Sequence, residues 1–177
     1  MAAIQAWLGQ QKEYSATCDR VLEVAKDAKD PADADRAAKI CSLRASDAKT
    51  HEAALDLARR AVELGNGHKL MCYFQMALGM AEYRCGHYAE ADVALRAAAQ
   101  LGERNYYVSG TTAFYRAMSL FKQGKEAEAR KLESEATAKM KPLPADEKNP
   151  LTSNDNADDL ILWMAFKEAS ALLGSTR

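Results

Sequence analysis

The chain has 177 residues, with 24 Lys and Arg against 25 Asp and Glu for a net charge of −1; 35 residues are Ala, and β-branched residues are thinly scattered. A near-zero balance with no stripe of Lys and Arg excludes a phosphate-backbone binder, the lack of alternating apolar runs excludes a sheet, and the longest apolar run, Leu160 to Phe166, is far too short to span a bilayer. The expectation is a cytoplasmic, all-helical single domain over 1–177, long enough to bury roughly 70% of its unfolded-chain surface.

Taken in order, the first predicted helix covers 3–26, because Ile4, Trp7, Leu8, Gln11, Tyr14, Cys18, Val21, Leu22 and Ala25 trace one stripe at helical spacing. A hairpin follows over 31–64. Asp30-Pro31 opens its first helix, with Asp as cap acceptor and Pro where a missing amide hydrogen costs nothing, and that helix ends near Ala45. Thr50 is the capping candidate for the second, which stops at Gly65-Asn66-Gly67. Two more hairpins are predicted over 69–101 and 106–139, turning at Gly86 and Gly124. Then the character changes: Pro142, Pro144 and Pro150 mark 140–156 as an irregular arm, and a capping helix follows over 157–173, with Asn156 or Asp155 as its cap and Gly174 after it. The count is about eight helices.

A repeat runs through this order. Ala54 and Ala61, Ala91 and Ala98, and Ala129 and Ala136 are pairs seven residues apart that recur at spacings of 37 and 38 residues. Small residues two turns apart let a helix approach its neighbour closely, so the pairs mark the second helix of three stacked hairpins.

The string Leu78-Gly79-Met80-Ala81-Glu82-Tyr83-Arg84-Cys85-Gly86-His87-Tyr88-Ala89-Glu90-Ala91, followed by Leu95 and Ala98, resembles a tetratricopeptide repeat. The unit from Thr111 to Ala136 keeps Ala117, Gly124, Ala129 and Ala136 but has Glu126 at the turn Tyr position, and the unit from Asp35 to Ala61 lacks both the turn Gly and the Tyr. At greater length, residues 30–64 and 140–173 are similar to the tetratricopeptide-like region at the C-terminal end of large multidomain bacterial serine/threonine kinases. This resemblance implies a right-handed superhelical stack of antiparallel hairpins and a detached regulatory or scaffolding role. Kinase motifs are missing from the sequence, so no kinase activity is carried over.

In the family, the first helix of each hairpin lines a concave groove. Counting from Gly86, Gly124 and Ala54, the groove positions are Arg36, Lys39 and Leu43; Tyr73, Met76, Met80 and Tyr83; and Thr111, Phe114 and Met118. A Met and aromatic surface of this kind holds a peptide, a helix or a protein surface, because Met repacks around different side chains. Nucleic acid and membrane are not expected partners; an oligomer is compatible with the sequence. Two readings stand: a noncatalytic interaction scaffold with an open groove, or a structural or sensory module of a larger protein or oligomer whose groove is filled by its own last helix, first helix or Pro-rich arm.

Chemistry is suggested at three places and discounted at each. His68, Cys72, Cys85 and His87 lack the spacing of a metal site, and the four cysteines read as free thiols of a reducing compartment. Asn154, Asp155, Asn156, Asp158 and Asp159 lack the order and central Gly of a calcium loop and suit helix capping. No Ser or Cys sits in a recognisable nucleophile turn with a His base, so neither an enzyme nor a cofactor is expected.

Overall fold

The structure is a computed structural model that describes residues 1–152 and 154–174. Among the described residues the chain is all-α, with nine helices: α1 (Ala2–Trp7), α2 (Gln11–Ala25), α3 (Pro31–Cys41), α4 (Ala48–Leu64), α5 (Met71–Arg84), α6 (Tyr88–Leu101), α7 (Tyr106–Lys122), α8 (Glu126–Lys139) and α9 (Ala157–Leu173). From α1 through α8 each helix packs on the next, α3, α5 and α7 also lie side by side, and α9 returns to pack on α7, α8 and α1. The molecule is therefore a row of antiparallel hairpins with one helix folded back across it. No helix among the described residues is long and apolar enough to cross a membrane.

The Ala pairs lie on α4, α6 and α8, and all six alanines are buried. Both Gly-x turns fall where the spacing places them, at Gly86 and Gly124. At three points the sequence reading is corrected. The single first helix is two helices, broken at Gly9, whose φ of 69° lies in the left-handed region. The break lets α1 run toward α9 while α2 follows α3, and it leaves Leu8 and Gln11, both assigned to the buried stripe, exposed. Second, α3 stops at Cys41 instead of near Ala45, because the carbonyls of Ser42 and Leu43 turn to accept hydrogen bonds from Arg84. Third, α4 is capped by Asp47, which accepts from the Thr50 amide at 2.8 Å; Thr50 itself lies buried in the first turn.

The last helix has the bounds read from the sequence. Asn156 and Asp159 form a reciprocal capping box, and Gly174 closes the C-terminus. The described residues of 140–156 carry no helix, and side chains hold this arm at two points: Trp7 Nε1 donates to the Glu147 carbonyl (2.8 Å) and Trp163 Nε1 to the Lys141 carbonyl (3.2 Å). Lys141 reaches back to Asp159 (2.9 Å) and Asp155 (2.5 Å). With help from Thr152, that ammonium holds the Asp155 carboxyl down to about 2.

Within the best-matching hairpin, α5 and α6 touch at Gly79, where a Cβ would lie 2.3 Å from Leu95 Cγ and 2.7 Å from its Cδ2. Ala is the better helix former by about 1 kcal/mol, so propensity alone favours Gly79→Ala. The contact reverses the sign: Gly79→Ala is expected to lower unfolding stability by about 1–3 kcal/mol in urea denaturation, and a gain in stability would contradict this close approach.

Candidate functional site

The ten predicted groove positions lie on α3, α5 and α7 or, for Leu43, just beyond α3, and seven of them, Leu43, Tyr73, Met76, Met80, Tyr83, Phe114 and Met118, belong to or pack against one hydrophobic cluster. Few of the ten face solvent. Leu43, Met76, Met80, Tyr83, Thr111, Phe114 and Met118 are buried, Tyr73 and Lys39 are half-buried, and Arg36 alone among the ten is exposed, paired with Asp33 at 2.9 Å. Of the two arrangements the sequence leaves standing, open or filled, these positions present no Met and aromatic surface to solvent. Their Met and aromatic residues form one core with Trp7, Tyr14, Cys18 and the run Leu160–Phe166.

The physical reason is the composition of α9. All seven residues from Leu160 to Phe166 are buried, which is nearly two turns with no polar face. Burying each large apolar side chain gains about 1.5–3 kcal/mol, so this helix needs cover on several sides at once. It finds cover against α7, where Leu162 occupies the space over Gly110 and the Phe166 ring meets Phe114 edge-on at 5.6 Å, and against α1, where Trp163 lies 6.0 Å from Trp7.

Polar contacts set the position of α9 along the surface. At its start, Asp159 is fully buried and accepts from Tyr106 Oη (2.8 Å) as well as Lys141. Toward its end, Ser170 donates to Glu133 of α8 (2.9 Å) and Arg130 donates to the Leu173 carbonyl. Between them lies the densest polar cluster, built on Arg84. Its guanidinium, 5% exposed, donates to the Ser42 carbonyl (2.8 Å), the Leu43 carbonyl (2.9 Å), Tyr115 Oη (3.1 Å) and both oxygens of Glu168 (2.5 and 2.7 Å). It also lies against the faces of Tyr83 and Tyr115, 5.4 and 5.5 Å from the ring centres. Burial opposes its charge, yet Tyr115 and Glu168 raise the guanidinium pKa above its usual value, and burial pushes Tyr115 up to about 12. Arg84 thus ties α5 to the α3–α4 connection, α7 and α9. The sequence reading passed over it; the available signal was a lone Arg closing an apolar helix beside Tyr83.

Charge elsewhere is mostly paired. Asp35 is buried, with Lys39 at 3.4 Å; burial pushes its carboxyl above the usual range, and Lys39 pulls against that. Lys39 also sits over the Tyr73 ring at 5.5 Å. A cleft of about 580 Å³ opens between α4 and the α5–α6 turn, lined in part by His51, Glu52, Arg59, Cys85 and His87. Beside it, buried Glu82 accepts from Arg59 (3.0 Å) and pairs with His87 Nδ1 (2.7 Å). Among the described residues no three His, Cys, Asp or Glu side chains are grouped so that they could hold a metal ion. His68 stacks on Phe74 and takes the Leu70 amide; Asp155 and Asp159 bind Lys141, and Asp159 also completes the α9 cap and accepts from Tyr106.

Removing one partner of a buried pair leaves the other charge without compensation, which costs about 3–5 kcal/mol. Arg84→Met is expected to lose that much in chemical denaturation, and Glu168→Gln less, because Glu168 is 27% exposed and the Ser42 and Leu43 carbonyls keep their donor. A loss below about 1 kcal/mol for Arg84→Met would show that the cluster does not tie the layers together. No family model matches this chain, no curated protein matches it, and no solved structure matches it.

Proposed function

We propose that this chain is a noncatalytic interaction module of tetratricopeptide-like hairpins, with a structural or regulatory role in a larger protein or an oligomer, and that its own last helix fills the concave face. Support for the repeat type comes from its packing details. Gly79 lies against Leu95, the turn residue Tyr88 meets Tyr83 at 5.7 Å between ring centres, and Ala91 and Ala98 are fully buried. These are the contacts for which the family uses small residues, a turn aromatic and a packing Leu. A right-handed superhelical arrangement of the hairpins belongs to this proposal.

The observation that carries the closed reading is the complete burial of Met76, Met80, Phe114 and Met118 in one hydrophobic core with Leu160–Phe166. A partner, whether protein or peptide, then meets the outer surfaces. Clefts available there include the one beside His51 and His87 and another of about 550 Å³ among α6, α7 and α8, lined in part by Glu103, Arg104, Tyr106, Leu132 and Lys139.

Copurification from the native host with the wild-type chain and with Met118→Asp as baits tests this reading. The carboxylate of Met118→Asp enters a fully buried apolar site, and an uncompensated buried charge is worth several kcal/mol, so the variant is expected to lose its fold and the partner together. A Met118→Asp chain that keeps its thermal transition and loses only the partner would return the binding site to an open groove.

A further inference from the structure

Between α3 and α4 the chain runs through residues 42–47 without a helix, and one imidazole ties that connection down. His51, near the start of α4, is 9% exposed, and its Nε2 accepts a hydrogen bond from the Ser46 backbone amide at 2.9 Å. A backbone N–H can only donate, so this bond uses the Nε2 lone pair. The ring is therefore neutral, with its proton on Nδ1.

Charged groups face His51 from every neighbouring segment. Burial lowers its pKa below the ordinary histidine value; the Arg44 carbonyl opposes that shift, the Arg84 guanidinium adds to it, and Asp47 at the cap of the same helix opposes it. Arg84 is itself paired with Glu168 of α9 and with Tyr115 of α7. Glu52, Asp56 and Arg59 of α4, with Cys85 and His87 at the α5–α6 turn, line the rest of the cleft on which His51 opens. That cleft, of about 580 Å³, gives water and therefore protons a path to the ring.

We propose that His51 is an acid-sensitive latch on the α3–α4 connection: its neutral ring closes the connection by accepting the Ser46 amide, and a proton taken up at Nε2 releases it. Proton uptake sets an N–H against the Ser46 N–H, two donors with no acceptor between them, and places a second cation beside Arg84. The connection must then move. Its Ser42 and Leu43 carbonyls are the ones that hold Arg84, so the displacement reaches the cluster that joins α5 to α9. Because the folded ring binds a proton less readily than the unfolded one, the stability it contributes is complete above about pH 6.5 and is lost as pH falls from there toward the lower folded value.

Nuclear magnetic resonance of the full chain tests this by following the His51 ring nitrogens and the exchange protection of the Ser46 amide in one titration from about pH 8 to about pH 4. At the start Nε2 is expected to be unprotonated and Ser46 protected. As the ring takes up its proton, below the pH at which an unfolded histidine does, Ser46 protection is expected to fall about tenfold or more while the buried α6 amides keep theirs. In His51→Gln the side-chain carbonyl can accept the Ser46 amide and does not titrate, so protection is expected to persist throughout; His87→Gln is expected to leave the loss intact. Should His51→Gln fail to fold, the wild-type titration decides alone. The proposal is overturned if Nε2 carries the proton at about pH 8, if the ring stays neutral down to about pH 4, if Ser46 protection is unchanged while the ring titrates, or if the loss survives in His51→Gln.

Discussion

An amphipathic helix needs one neighbour, and α9 needs several, because its middle seven residues are all apolar and all buried. That constraint organises the rest of the molecule. The row of hairpins supplies one wall through Phe114, Met118 and the space over Gly110, α1 supplies another through Trp7, and α8 closes the end through Glu133. Once α9 is seated, the residues that would face a partner in an open repeat become core. In this chain most of the positions that the resemblance assigns to a groove belong to the hydrophobic core of the domain.

Apolar contact alone does not determine where along the row a smooth helix comes to rest. Arg84 does, since its guanidinium reaches Glu168 on α9 while holding the Ser42 and Leu43 carbonyls and Tyr115. Buried ion pairs often add little net stability, because desolvation offsets much of the attraction. Their worth here lies in register: any sliding of α9 leaves several buried partners unmatched. Lys141 performs a similar service at the other end of the helix, where it joins the irregular arm to Asp159. The arm then has little freedom of its own, with Trp7 and Trp163 holding its backbone at Glu147 and Lys141.

Much of the fold was legible in the sequence because local rules govern it. Pro31 after Asp30, the Gly86 and Gly124 turns, the six repeat alanines and the Asn156 cap each act within a few residues, and each stands where the pattern places it. Tertiary forces decided the rest. The Ile4 to Ala25 stripe reads as one helix because its spacing is unbroken, but packing on α9 and on α3 pulls its halves in different directions, and Gly9 absorbs the turn. Cys41 ends α3 because an Arg more than forty residues away takes the next carbonyls, which no local signal announces. Most of the positions counted back from the turns share one core cluster, and their exposure depended on where a distant apolar helix would settle. Only its composition hinted at the answer.

Methionine makes that answer directly measurable, because sulfoxide formation follows exposure. Brief oxidation of the folded chain with hydrogen peroxide, read by peptide mapping, separates Met1, which is 90% exposed, from Met76, Met80 and Met118, which are at 0%. The closed arrangement predicts rapid oxidation of Met1, with Met76, Met80 and Met118 reacting only as fast as the domain unfolds. Early sulfoxide at Met76, Met80 and Met118 in protein that remains folded would contradict it.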